Sequence, residues 1–378
     1  MAERPAVTWR DARGAERRAR WWSEHAPAPA RLAAAGDDTP ADRAFARLRA
    51  GDGLAYEGDF HNARQLLDAA SRRLRPPAPR APGIAALFLA EREGVRAAQE
   101  VLSRLAVPVG PGWTCALRRA PALEAPLSEA FGDPPDGPAL LPLRELRGAI
   151  GAHEWHRRGV PVPALGASVH PRYGVFAPVR GEYVGLVARG LARRGSLAGR
   201  SALDVGTGTG VLAFLLARAG ARVVATDVEP GAVRSAREDA ARLGLSERVE
   251  VVLADLFPPG DERFDLVLAN PPWMPGEPHG PLDRAVYDPG GEVLARLVAG
   301  IPARVAPGGA AWLVLSDLAE RLGLRDHGEL ARRLGAAGLR VTATLETRPS
   351  HPRAREGDGP LAAARAAEVT RLYELAPA

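Results

Sequence analysis

Lysine is absent from this chain of 378 residues, so all 50 basic side chains are arginine. That excludes a Walker A phosphate loop, whose lysine reaches the outer phosphates of a nucleotide. It also tempers the basic balance. Guanidinium stays protonated at any ordinary pH, so a sequence pI of about 10.0 accompanies a formal charge of only +5. The bias reads first as that of an Ala-, Arg-, Gly- and Pro-rich composition, with a polyanionic partner as the alternative. Cysteine is nearly missing too. Cys115 alone excludes an intrachain disulfide framework and a cysteine-rich metal site. No apolar run is long enough to span a bilayer, and the early charges Glu3, Arg4, Arg10 and Asp11 do not fit a signal peptide. The expectation is a cytoplasmic protein without a membrane partner.

What is present is an ordinary core-forming composition, 46% hydrophobic and 25% charged, in a length that suits two or three domains. The N-terminal third reads as mainly helical. A short helix is expected before Trp21-Trp22, loop from Ala26 to Pro40, and helix over residues 41–74 interrupted at Gly51 and Gly53. A proline-rich break spans Arg75 to Gly83, and an amphipathic helix runs from Ile84 to Leu105. Residues 106–165 alternate short apolar pieces with Pro/Gly turns, so small strands and irregular structure both fit. The domain boundary is placed at 165, dividing an accessory region, 1–165, from a second domain, 166–378.

From Ser201 the pattern is regular. Strands are predicted at 202–205, 222–226, 249–253, 264–269, 311–315 and 339–345, with helices at 211–219, 231–243, 292–305 and 329–337. Near-continuous apolar strands alternating with helices indicate a parallel sheet covered on both faces, in which ligands bind beyond the carboxyl ends of the strands. A final strand is expected at Val369–Leu375, with Arg348 to Leu361 an inserted loop. The alternative there is a helix from Leu361 onward.

The chemical motifs sit at these strand ends. Asp204-Val-Gly-Thr-Gly-Thr-Gly210 follows the first strand. Gly206, Gly208 and Gly210, with Thr207 between them, let the backbone turn tightly beside a ligand. The dinucleotide fingerprint G-x-G-x-x-G fails, because its last position is Val211. Asp227, followed by Val228, ends the second strand and can accept both ribose hydroxyls of an adenosine. Asp255 after the third strand can accept from an adenine amino group, with Leu256 flanking the ring. Asp204 either orders the loop or faces a sulfonium or its amino group. The fourth strand ends in Asn270-Pro271-Pro272-Trp273, the most specific signal in the chain. Its prolines stiffen the backbone and donate no hydrogen bond. The Asn270 side chain and the Pro271 carbonyl can both accept from one planar nitrogen, and Trp273 can stack on the group that carries it.

On these residues the chain resembles the class I S-adenosylmethionine-dependent methyltransferases, and within them the Asn-Pro-Pro-aromatic group that methylates base amino nitrogens or the glutamine amide of release factors. The resemblance covers residues 170–347. It implies an α/β fold, the Rossmann-like seven-stranded methyltransferase sheet, behind an accessory domain that recognises the acceptor. It implies S-adenosylmethionine as cofactor, held by Asp204 to Gly210, Asp227, Asp255 and Asn270. His170 to Val184 loosely resembles the segment that precedes the first motif in the release-factor enzymes; Arg180 and Glu182 match, which adds Arg180 to the donor site. Val179 and Gly181 stand where that segment has prolines, and Trp273 where Tyr or Phe is usual. A donor-covering lid and plain packing both fit His170 to Val184.

Several other features carry two readings. His153 and His156 with Glu154 suggest a metal cluster, but the second His of His-Glu-x-x-His falls on Arg157, and no metal is expected. Asp59-Phe-His-Asn62 forms a turn before a helix or lines a substrate path. The leading reading is N-methylation of a protein or RNA. A small-molecule or peptide acceptor is the alternative. A nicotinamide oxidoreductase and a noncatalytic nucleic-acid-binding module are the rivals from other classes. The missing sixth glycine counts against the first, and composition bias explains the arginines behind the second.

Overall fold

The computed structural model describes residues 4–74, 81–179, 181–349 and 359–378. It divides into two compact units, one of Met1–Pro82 with Leu89–Glu154 and one of Gly83–Phe88 with Trp155–Ala378.

The first unit carries β1 (Ala6–Arg10), β2 (Glu16–Trp21), β3 (Leu32–Ala35), α1 (Ala41–Arg49), β4 (Gly53–Tyr56), α2 (Phe60–Arg73), most of α3 (Ile84–Ser103), β5 (Leu105–Val109), α4 (Glu124–Phe131), β6 (Ala139–Pro142) and most of α5 (Leu143–Arg158). Its strands form one mixed six-stranded sheet, ordered β1-β2-β6-β5-β4-β3. Helices supply more residues than strands here, as a mainly helical region requires, but the sheet that organises them was not foreseen. Three expectations are corrected. The stretch Ala26 to Pro40 is not all loop, since Leu32–Ala35 forms β3, paired in parallel with β4. The stretch before Trp21-Trp22 is a hairpin, not a helix. Its turn is held by the Asp11 carboxylate, which accepts from the backbone N–H of Arg13 and of Ala15, each at 2.9 Å. In β2 only Ala19 and Trp21 face inward, so arginines on the open face hide the alternation. Gly53 does not interrupt a helix; it opens β4, every residue of which is buried. Of the break read at 75–83, residues 75–80 lie outside the described residues.

The second unit begins with the hairpin β7 (Val160–Val162) and β8 (Ala167–Val169) and continues α6 (Glu182–Arg194), β9 (Ser201–Val205), α7 (Val211–Arg218), β10 (Arg222–Asp227), α8 (Pro230–Arg242), β11 (Val249–Leu253), β12 (Phe264–Ala269), α9 (Glu292–Arg304), β13 (Val305–Ser316), α10 (Leu318–Arg321), α11 (Glu329–Ala336), β14 (Leu339–Thr347), α12 (Pro360–Ala366) and β15 (Thr370–Pro377). The seven-stranded sheet runs β11-β10-β9-β12-β13-β15-β14. Its first five strands are parallel, and β15 is antiparallel to both neighbours. Alternate side chains of each strand enter opposite layers. Ala202, Leu266 and Leu268 pack with α6 to α8, while Leu203, Val205, Val267 and Ala269 pack with α9 and α11. Burial on both faces is what keeps these strands apolar throughout.

The C-terminal strand is present as predicted, wedged between β13 and β14. The alternative helix also exists, as α12 just before it. Of the expected loop Arg348 to Leu361, residues 350–358 lie outside the described residues.

Candidate active site

β9, β10, β11 and β12 are parallel neighbours, so Asp204, Asp227, Asp255 and Asn270 emerge on one edge of the sheet. Gly206, Gly208 and Gly210 all have positive φ, at 72°, 56° and 83°, which L side chains adopt only at a cost. They differ in what surrounds them. A Cβ on Gly210 would lie 2.4 Å from the Phe214 ring, whereas one on Gly206 or Gly208 would meet nothing within 4 Å. Gly210 is thus required by packing, and the other two face open space.

The amides of the loop are already engaged. Gly206 and Thr207 N–H donate to the Thr226 carbonyl at 2.9 and 2.8 Å, and Gly210 N–H to the Thr207 carbonyl at 2.8 Å. Gly208 N–H donates to Asp227 Oδ2 at 2.9 Å. With these amides committed and carboxylates on either side, the loop is a poor cradle for a pyrophosphate. It suits a ligand that carries positive charge.

Asp204 gives that charge a partner. It is 1% exposed. Its Oδ2 accepts from Thr207 Oγ1 at 2.6 Å and from Ala213 N–H at 3.1 Å, while its Oδ1 is buried without a hydrogen bond among the described residues. Burial pushes its pKa up to about 7, against the pull of those two donors. Thr207, expected to touch the cofactor, has both its hydroxyl and its amide committed to the protein, and so orders Asp204 and the loop. Asp227 is part-buried, with Oδ1 accepting from Glu229 N–H at 2.9 Å, and burial raises its pKa. Each of its oxygens keeps a second lone pair for a ribose hydroxyl.

Val228 (60%) and Leu253 (54%) are large apolar side chains left exposed beside Asp227 and across from it in the β10–β11 pairing. A flat heterocycle covering them would remove that exposure. Leu256 holds φ of +63°, with Phe257 N–H bonded to the Asp255 carbonyl at 3.0 Å and Thr226 Oγ1 donating to the Leu256 carbonyl at 2.5 Å. Such strain in a non-glycine residue persists where the surroundings over-determine it, and it clusters at functional sites. Asp255 is exposed, with Oδ2 ion-paired to Arg296 at 2.6 Å, which leaves Oδ1 the less engaged of its two oxygens. Arg180 lies outside the described residues.

At the end of β12 the Asn270 side chain is half-buried, and it makes no hydrogen bond among the described residues. Neither does the Pro271 carbonyl. The loop that bears them is held from behind. Trp273 N–H and Met274 N–H share the Val286 carbonyl at 3.1 and 3.0 Å, and the buried Arg325 guanidinium donates to the Trp273 carbonyl. Asp288, 1% exposed, caps α9 by accepting from Val293 and Leu294 N–H, each at 3.0 Å. An ion pair, Arg284 to Glu229 at 2.9 Å, ties this loop to the residues after Asp227. The two acceptors at 270 and 271 therefore stand uncommitted on a rigid loop.

Leu253, Arg325, Asp288 and Tyr183 were not reached from sequence. Tyr183 packs against the core that carries α6 to α8, and burial raises its pKa, with the charge of Asp204 adding to the shift. Its only sequence signal was membership of the segment His170 to Val184. That segment docks on α8, where Arg172 grips Glu238 at 3.0 and 2.6 Å and His170 N–H donates to Asp239 at 2.7 Å. Other candidates have local duties. His153 Nδ1 lies 2.8 Å from Glu129 Oε2, and the His156 and His170 rings each contact the other's carbonyl at 3.0 and 2.6 Å. Asp59 is the N-cap of α2, accepting from His61 N–H at 2.9 Å, and pairs with Arg119, so Phe60 to Asn62 are the first residues of that helix and not a turn before it.

Comparison with known proteins agrees with this geometry. The family described as Methyltransferase small domain matches residues 185–321. The release factor glutamine methyltransferase of Cereibacter sphaeroides is 36% identical over 168 residues, 40% of this chain and 59% of that enzyme. That of Xylella fastidiosa is 32% identical over 200 residues, 48% of this chain and 68% of that enzyme. The ribosomal RNA small subunit methyltransferase C of Alcanivorax borkumensis is 38% identical over 112 residues, 30% of this chain and 31% of that enzyme. The chain thus spans about three fifths of the Cereibacter relative and a third of the Alcanivorax one. The fold and site define a Rossmann-like enzyme of the kind that uses S-adenosylmethionine. The chain belongs to the class I S-adenosylmethionine-dependent methyltransferases, and it resembles the release-factor glutamine and ribosomal RNA enzymes among them. No helix among the described residues is long and apolar enough to cross a membrane.

Proposed function

We propose that this chain methylates a planar amide or amino nitrogen on a macromolecule, with a protein glutamine amide as the first choice. The uncommitted pair of acceptors, Asn270 Oδ1 and the Pro271 carbonyl, carries this reading. An NH₂ group offers two hydrogens in one plane, and these two oxygens can take both. S-adenosylmethionine supplies an electrophilic methyl group on a sulfonium. The protein orients the nitrogen lone pair toward it, and such alignment is worth several kcal/mol of barrier, about 7–11 at the extreme. Trp273 stacks on the acceptor plane. Donor contacts fall to Asp204 for the ammonium, to Asp227 for the ribose, and to Val228, Leu253, Leu256 and one Asp255 oxygen for the adenine, while Gly206 and Gly208 leave room for the ligand. Residues 1–165 act in acceptor recognition, with 166–378 as the methyl-transfer domain in the cytoplasm. A base amino group in RNA is the second reading, favoured by the broad indole of Trp273, which suits a base more than an amide.

Two measurements test this. Calorimetry should show S-adenosylhomocysteine binding without comparable NADH binding, and Asp227→Ala should weaken it by about 1–3 kcal/mol through lost charged hydrogen bonds. An unchanged dissociation constant removes Asp227 from the ribose. Mass spectrometry of digested product should place the methyl group on nitrogen; a methyl on carbon, oxygen or sulfur defeats the reading.

A further inference from the structure

A cavity of about 370 Å³ lies under α10 and α11 against β14 and β15. Its floor is apolar, built from Leu330, Leu334 and Val341. Leu330 and Leu334 are buried, yet Val341 is left 45% exposed. One wall is a closed ion network. Arg321 grips Asp317 with two bonds of 2.8 Å, and Arg371 bridges Glu346 at 2.7 Å and Asp317 at 3.4 Å. These charges satisfy one another.

Glu320, on the cavity wall, does not share in this network. Its carboxylate makes no hydrogen bond or ion pair among the described residues, although Arg325, His327 and Arg371 act on it electrostatically. Burial outweighs them and raises its pKa. A partly desolvated carboxyl without a direct partner, at the end of an apolar trough, is a costly arrangement for an empty protein. It becomes favourable when a cation closes on it. A long basic side chain fits both halves, laying its methylene stem on the apolar floor and its head on the carboxylate. A guanidinium adds a fork that matches a carboxylate with two bonds.

The position relative to Asn270 gives the trough a purpose. β12 is followed in the sheet by β13 and then β15, and Asp317 directly follows β13 on the edge where Asn270 follows β12. Adjacent strands are about 4.8 Å apart, so β15 stands roughly 10 Å from β12. An extended peptide covers about 3.3 Å per residue, so the third residue from an acceptor at Asn270 reaches this distance.

We propose that the Glu320 trough is a subsite for a basic side chain of a protein acceptor, about three residues from the methylated one. This rests on the protein-acceptor reading above. The probe is agmatine, a butyl stem with a guanidinium at one end and an ammonium at the other, titrated by saturation-transfer NMR against the full chain saturated with S-adenosylhomocysteine. Binding in the millimolar range is expected for the wild type, weakened about tenfold or more in Glu320→Gln and in Val341→Arg, which fills the floor from an exposed strand position. Equal binding to a folded Glu320→Gln, or equally tight binding of uncharged 1-pentanol, overturns the subsite. If Glu320→Gln does not fold, undiminished binding to Val341→Arg overturns it alone. Displacement of agmatine by an RNA oligonucleotide and not by an arginine-containing peptide overturns the protein acceptor. A chain that binds agmatine here yet methylates no nitrogen defeats the proposed function and leaves the trough standing.

Discussion

Asn270→Ala is expected to lose on the order of 10²-fold or more in turnover, about 3 kcal/mol or more of transition-state stabilisation. The size follows from position. Asn270 is half-buried, and its amide has no partner among the described residues, so removing it disturbs little of the fold. What disappears is one of the two acceptors that align the nitrogen, an interaction realised as the methyl transfers. S-adenosylhomocysteine affinity should move by less than about 1 kcal/mol if the side chain is aimed at the acceptor. Turnover and donor affinity are measured on the same preparation. A variant that loses donor binding in proportion to turnover would show Asn270 to be a donor ligand instead.

Asp204→Asn should stabilise the ligand-free protein at alkaline pH while impairing donor binding. The folded Asp204 pKa of about 7 stands above the value of 3.8 for a free side chain. Below pH 3.8 the group is protonated in both states and costs nothing. Between 3.8 and 7 the unfolded chain ionises while the folded one resists, so stability falls as pH rises; above 7 the penalty is constant. At 1.36 kcal/mol per pKa unit the penalty is on the order of a few kcal/mol. Asparagine removes the titration. Denaturant melts of the variant should therefore lose less stability between pH 4.5 and 8.5 than those of the wild type. Other groups raised by burial, such as Glu145 at about 7, cancel in the difference between the two curves. The cost appears in the ligand, where loss of a charged hydrogen bond should weaken S-adenosylmethionine by about 1–3 kcal/mol. Parallel stability curves would show that Asp204 is not a buried, unpaired carboxyl.

The sequence by itself determined whatever depends on neighbours along the chain. Doubly buried strands must be apolar throughout, so β9 to β13 could be read from their runs, and the ligand edge from where those runs stop. Glycines at 206, 208 and 210 declared a turn that only small residues make, and Asn270 to Trp273 declared a stiff acceptor loop, because proline rigidity is a local property. The tertiary structure decided what depends on partners distant in sequence. The strands of the first unit are short, and their order brings residue 20 beside residue 139, a pairing with no local trace. The ion pair of Arg296 with Asp255, 41 residues apart, engages one Asp255 oxygen, and Arg325 supports Trp273 across 52 residues. The burial that lifts Asp204 and leaves its Oδ1 unpaired comes from packing around the glycine loop. The hydrogen-bonding capacity of a side chain is written in its identity, but the groups that occupy that capacity, and the water that is withheld from it, are set only when the sheet and helices close around it.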